Sequence, residues 1–203
     1  KSDEKFRPLY HFTAEKNWLN DPNGLVFCGG EYHLFFQYNP HGLEWGPNSW
    51  GHAIGPDLIH WRQMPDALEP YEPGWIWSGS AVVDQYNTSG LKSGDDDLLV
   101  AIYTAGDNIA CPSKPCAQYI SYSNDLGRSW THFADNPVLS HIVGDNRDPK
   151  VIWHAPTAKW IMALYLSENS FGLFGSEDLK TWRGLPQSTF QGQRNAQISS
   201  PFR

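Results

Sequence analysis

Gly55-Pro56-Asp57-Leu58-Ile59-His60-Trp61, Ser123-Asn124-Asp125-Leu126-Gly127-Arg128-Ser129-Trp130 and Ser176-Glu177-Asp178-Leu179-Lys180-Thr181-Trp182 are three versions of one pattern. In each, an apolar strand-like run gives way to a small or polar residue, then Asp-Leu, then Trp. The spacing is 69 residues from Trp61 to Trp130 and 52 from Trp130 to Trp182. Repeats of that length with strand-turn-strand chemistry inside them indicate blades of a β-propeller. A propeller gathers the first strand of every blade around one axis, so residues far apart in sequence can share a site.

Working outward from these repeats, residues 24–37 read as two strands joined by Gly29-Gly30, a pair that tolerates the positive φ of a tight hairpin. A third strand runs from Trp50 to Gly55 and a fourth starts at Trp61, which completes one blade. The order recurs as Ser80–Asp84, Leu98–Tyr103, Gln118–Tyr122 and Trp130 onward, and again as Lys150–Trp153, Lys159–Tyr165, Phe171–Phe174 and Trp182 onward. Loops rich in turn formers separate the blades, as in Asn39-Pro40-His41-Gly42 and Pro70-Tyr71-Glu72-Pro73-Gly74. No run reads as a helix of useful length, and the fold class is all-β. The expected boundaries are 18–68 for blade 1, 75–138 for blade 2 and 147–190 for blade 3, with a fourth opening at 197–203. A propeller closes with at least four blades, because an open ring leaves sheet edges bare. The 203 residues are therefore expected to be an incomplete ring, completed by further chain or by a partner segment.

Composition narrows the function. With 15 basic and 22 acidic residues the net charge is -7, and no Lys/Arg cluster supplies the footprint for neutralising phosphates, so nucleic acid is excluded as a partner. No apolar run approaches the roughly 20 residues of a membrane-spanning helix. The start Lys1-Ser2-Asp3-Glu4-Lys5 is too polar for a secretory signal, so the chain is read as cytosolic or as one whose signal was removed. Cys111 and Cys116 could close a small disulfide loop, and Asn87-Thr88-Ser89 is a glycosylation acceptor sequence; both point to secretion. No Cys/His group has zinc-ligand spacing, and neither a metal nor a cofactor is expected. Aromatic residues make up 14% of the chain, including 10 Trp. Such rings suit propeller cores and sugar platforms alike.

Each first strand is announced by a motif: Trp18-Leu19-Asn20-Asp21-Pro22-Asn23-Gly24, then Trp77-Ser78-Gly79-Ser80, then Asn146-Arg147-Asp148-Pro149. First strands are innermost, so Asp21 and Asp148 are expected at one mouth of the central channel. An isolated Asp-Pro is ordinarily a turn, in which Pro fixes its own φ and pushes Asp toward an extended conformation. Two of them in register, one beside Arg147, favour a site instead. Arg147 is expected to keep its neighbour ionised and to hold sugar hydroxyls.

These blocks, with Phe36-Gln37-Tyr38-Asn39-Pro40 and Trp50-Gly51-His52-Ala53, resemble the signature motifs of glycoside hydrolase family 32 over about residues 8–190. Its members include invertases, inulinases, levanases and fructan exohydrolases. The resemblance implies a five-bladed propeller, commonly followed by a β-sandwich, and retaining hydrolysis of a β-fructofuranosyl bond. It implies Asp21 as nucleophile and Asp148 as the carboxylate that binds fructose hydroxyls and stabilises the transition state. Asn20, Gln37, Trp45, Trp77, Ser78 and Arg147 would line the fructose pocket. The competing readings are a satisfied strand-end amide for Gln37 and core packing for Trp45 and Trp77. Trp50 and His52 read as support for the site.

The family's general acid comes from a Glu-Cys block, and here Phe27, Ala110 and Pro115 precede the three cysteines. Since motifs open blades 1 to 3, the acid is expected to open blade 4, beyond Arg203. Glu168 and Glu177 lie too far out in blade 3 to replace it, and Asp95-Asp96-Asp97 reads as a solvated turn. Alongside a β-fructofuranosidase stand two alternatives: a fructosyltransferase, and a sugar-binding propeller without the acid.

Overall fold

A computed structural model describes residues 5–8, 10–106 and 114–191. It contains three four-stranded antiparallel sheets, each meandering in chain order. The first comprises β1 (Trp18–Cys28), β2 (Glu31–Asn39), β3 (Ser49–Gly55) and β4 (Arg62–Leu68). The second comprises β5 (Trp75–Val83), β6 (Leu99–Gly106), β7 (Ala117–Ser123) and β8 (Thr131–His132). The third comprises β9 (Arg147–His154), β10 (Lys159–Ser167), β11 (Ser170–Ser176) and β12 (Arg183–Gln191). The only helical piece among the described residues is a 3-10 turn at Ala155–Thr157. The start of a fourth blade and the Cys111 partner of Cys116 fall outside the described residues.

The first strands β1, β5 and β9 lie side by side, β1 against β5 and β5 against β9. They begin earlier than the sequence suggested. Asn20-Asp21, Trp77-Ser78 and Arg147-Asp148 are strand residues, not residues leading into strands. Register shifts after Leu19 and after Asn23 show why: the pairing of β1 with β2 continues through the Asp-Pro-Asn segment by bulging around it.

Burial follows the two-residue period of strands. Along β10, Trp160, Met162, Leu164 and Leu166 are buried, alternating with partly exposed Ile161, Ala163 and Tyr165. By contrast β6 is buried along its whole length, because blade 2 is covered on both faces. One apolar cluster, with Phe35, Trp50, Ile76 and Tyr103, joins blades 1 and 2. Another, with Ile102, Ile120, Val151, Met162 and Leu179, joins blades 2 and 3. Each such side chain contributes about 1.5–3 kcal/mol on burial.

The Asp-Leu repeats are capped turns. Asp57 Oδ1 accepts the backbone N–H groups of Ile59 and His60 at 2.8 and 2.7 Å. Asp178 Oδ1 takes those of Lys180 and Thr181 at 2.9 and 2.7 Å, and Asp125 Oδ1 those of Arg128 and Ser129 at 3.0 and 2.9 Å. The tryptophan then ties the turn shut: Trp61 Nε1 donates to Leu58 O at 3.3 Å and Trp182 Nε1 to Leu179 O at 3.0 Å. In the middle repeat Gly127 adds one residue between Leu and Trp. The buried Trp130 Nε1 accordingly loses that carbonyl and has no hydrogen-bond partner among the described residues. Its ring packs edge-on against Phe35 of the first blade, centroids 5.5 Å apart.

Candidate active site

A cleft of about 340 Å³ opens where the first strands meet, lined by Asp21, Pro22 and Asn23 of β1, Ser78 and Gly79 of β5, and Asp148, Pro149 and Lys150 of β9. Three segments separated by more than fifty residues thus supply one wall each, as stacking of blades dictates. Ser78 Oγ donates to Asp21 Oδ2 at 2.9 Å, which fixes one carboxylate oxygen. Ser78, assigned to sugar binding in the sequence, spends its proton on Asp21.

Asp148 departs from expectation twice. Its φ is +60°, in the left-handed region, although proline follows it and should hold it extended. Its carboxyl is also raised above the ordinary aspartate range. Partial desolvation of the half-exposed side chain is the largest cause, and Asp21 and Asp145 add to it against the opposing Arg147 charge. Arg147 Nε stands 3.5 Å from Asp148 Oδ2, but the guanidinium is shared with an ion pair to Asp145, so desolvation and neighbouring acids prevail. A carboxylate of raised basicity is a stronger hydrogen-bond acceptor for hydroxyls.

Backbone contacts fix the wall. Ser80 Oγ donates to Pro149 O at 2.9 Å and accepts Val151 N–H at 3.0 Å, pinning β9 to β5. Arg147 lies over the Tyr165 ring, its Cζ 4.4 Å from the centroid, because the two residues are cross-strand partners in β9 and β10.

The other residues singled out in the sequence do not line the cleft. Asn20 is exposed on β1, before Asp21. Gln37 is buried, with neither Oε1 nor Nε2 hydrogen-bonded among the described residues. Trp77 Nε1 donates to Gly106 O at 3.3 Å, committing its indole N–H to the backbone. Trp45, 42% exposed, meets Trp75 edge-on at 5.1 Å and lies 6.2 Å from Trp77. Trp50 is buried and donates its indole N–H to Trp77 O at 2.9 Å. His52 is buried against Phe35 and His33, and burial pushes its pKa down to about 3.

Asn23 and Lys150 were missed as wall residues. Strand periodicity could have flagged both, since each follows a cleft aspartate by two positions. A larger depression of about 440 Å³ on blade 3, lined by Lys159, Glu177, Asp178 and Arg183, carries less chemistry. Lys159 is ion-paired to Glu177 at 3.1 Å there, and Asp178 is committed to its turn. Cys28 is no nucleophile: burial, with the charges of Asp97, Glu31 and Asp96, pushes its thiol up to about 11.

Residues 11–199 match the family model of the glycosyl hydrolases family 32 N-terminal domain. The chain belongs to this family. It is 50% identical over 184 residues to a levanase of Bacillus subtilis (strain 168), which covers 89% of this chain and 26% of the levanase. It is 42% identical over 203 residues to an extracellular exo-inulinase of Aspergillus awamori, covering 89% of this chain and 38% of that protein. A crystal structure of exo-inulinase from the same fungus superposes with a TM-score of 0.85 at 39% identity, over 94% of this chain and 41% of the other. A β-fructofuranosidase from Schwanniomyces occidentalis, solved with fructosyl-erythritol, gives 0.83 at 42% identity, over 92% and 36%. The chain thus spans well under half the length of these relatives. The family fold is the five-bladed propeller, and the described residues build three of its blades.

Proposed function

We propose that this chain supplies the nucleophile side of a retaining β-fructofuranosidase acting on sucrose or fructans. The observation that carries the reading is the cleft itself, where Asp21, oriented by Ser78, shares one space with Asp148. In the proposed reaction an Asp21 oxygen attacks the anomeric carbon of the terminal fructose, and the glycosidic C–O bond breaks as the leaving oxygen takes a proton from a general acid. Water, deprotonated by the same group, then attacks the fructosyl-enzyme and releases fructose and Asp21. Asp148 accepts hydrogen bonds from fructose hydroxyls and balances the positive charge that develops on the ring, which its raised basicity favours. Asn20, Gln37, Trp45, Trp77 and Arg147 complete the sugar's surroundings. Gln37, whose amide is buried without a partner, is suited to the two-way hydrogen bonding of a hydroxyl.

Asp21 and Asp148 are the only carboxylates on the cleft wall among the described residues, so we place the general acid outside them. The remaining blades, with or without a β-sandwich, would come from the rest of the complete protein. Secretion is supported by the extracellular exo-inulinase among its relatives. The deciding experiment incubates the complete protein with sucrose, inulin and levan and identifies the released sugars. Free fructose is expected, and longer fructans from concentrated sucrose would instead identify a transferase. Asp21→Ala is expected to lower turnover by at least about 10⁴-fold while the protein stays folded. Near-normal turnover in that variant would remove Asp21 from the nucleophile's role.

A further inference from the structure

Asp148 combines two features that oppose each other, a left-handed backbone and a proline immediately after it. A residue so placed persists only where its surroundings over-determine it. The surroundings here are a buried polar chain running through the middle of blade 2. Asp148 N–H donates to Thr104 Oγ1 at 3.2 Å, and the Thr104 hydroxyl donates onward to Gln118 Oε1 at 2.8 Å. Gln118 Nε2 then donates to the backbone carbonyl of Asn146 at 3.4 Å. The chain leaves from the Asp148 amide and returns to the main chain two residues earlier, enclosing the bend that presents the carboxylate.

Asn146 closes the far end. Its Nδ2 donates to Cys116 O at 3.2 Å, and its Oδ1 accepts the N–H groups of Ile142 and Val143 at 2.9 and 3.3 Å. Thr104, Gln118 and Asn146 are all fully buried, at 0% exposure. Thr104 and Gln118 face each other as register partners in β6 and β7, strands otherwise dominated by apolar packing. A threonine has a single hydroxyl proton. Once that proton is given to Gln118, the oxygen's lone pairs remain to accept the Asp148 N–H.

We infer that Thr104 and Gln118 are positioning residues for the sugar-binding carboxylate: they hold Asp148 in the one backbone conformation that turns its side chain into the cleft. The inference rests on the fructosidase reading of that cleft. It assigns to two strand residues of blade 2, neither touching the cleft, control over how the ketose is gripped.

The test uses the complete protein with sucrose as substrate and free fructose as ligand. Thr104→Val keeps the shape and removes the acceptor; kcat/KM for sucrose is expected to fall about tenfold, with weaker fructose binding by calorimetry and an unchanged folded spectrum at 25 °C. Thr104→Ser, which restores the hydroxyl, is expected within about twofold of the unaltered protein. Combined with Asp148→Asn, Thr104→Val should add little further loss in fructose affinity, since both act through one carboxylate. Should Thr104→Val not fold, Gln118→Met removes the next link and is expected to give the same split between activity and folding. Activity and fructose affinity within twofold of normal in both Thr104→Val and Gln118→Met would overturn the inference while leaving the fructosidase reading intact. An unaltered protein that neither cleaves sucrose nor binds fructose would overturn both.

Discussion

Arg147 shows how far one residue's surroundings revise its expected role. The sequence places it beside Asp148 and so predicts a strongly ionised carboxylate. In the structure its charge is divided between Asp145 and Asp148 and its Cζ lies over Tyr165, and the carboxyl of Asp148 is raised instead. Tyr165 lies 18 positions away, and only the pairing of β9 with β10 brings it under the guanidinium. A cation over an aromatic face is held by about 0.5–2 kcal/mol. In the complete protein, Tyr165→Ala is accordingly expected to raise KM for sucrose about 2- to 30-fold, while Tyr165→Phe stays near normal; equal KM values for the two variants would show that the ring does not hold the arginine.

At the scale of strands, β2 and β3 bring two imidazoles together in the core of blade 1. His33 Nδ1 and His52 Nε2 share a hydrogen bond at 3.1 Å, which requires at least one neutral ring, and Phe35 stacks on His52 at 4.5 Å. Burial lowers both pKa values, that of His52 to about 3. Between pH 6.5 and 5 the unfolded chain therefore takes up protons that the folded chain refuses, and stability falls as the pH drops. Asp66 acts in the opposite sense: burial and Glu69 raise it to about 6, so the folded state gains its proton first. In urea unfolding at a series of pH values, His52→Gln is expected to reduce the histidine-driven slope by about 1.4 kcal/mol per pH unit. An unaltered slope would mean that His52 is protonated in the native state. The sequence suggested a supporting role for His52 but could not show its partner, because His33 becomes its neighbour only through strand register.

Across the whole molecule, each blade leans on the one before it. Leu126 of blade 2 packs onto the β1–β2 turn at Gly29, where an added Cβ would come within 2.8 Å of its side chain. Leu179 of blade 3 is fully buried in the cluster it shares with blade 2. Leu58, the equivalent residue of blade 1, is 54% exposed. The same asymmetry marks the inner strands. β5 in the middle buries Ile76, Ala81 and Val82, whereas β1 leaves Leu25 and Phe27 at 54% and 55% exposure and β9 leaves Ile152 at 53%. Apolar surface left bare at both ends of a row of sheets weakens cooperativity. Expressed by themselves, the 203 residues are expected to melt over a broad range and to bind a hydrophobic dye; a single sharp transition in calorimetry would contradict this.

The sequence by itself determined the all-β class, the three-fold Asp-Leu-Trp recurrence, the hairpin at Gly29-Gly30 and the two aspartates worth attention. All of these are local: turn chemistry, a two-residue period and motifs within a few positions of each other. Tertiary structure alone decided that Ser78 bonds Asp21, that Tyr165 comes under Arg147, that Asn23 and Lys150 join the wall, and that a left-handed Asp148 donates its N–H to Thr104. Those outcomes depend on which strands become neighbours and on how much water their meeting expels, quantities that no stretch of chain carries alone.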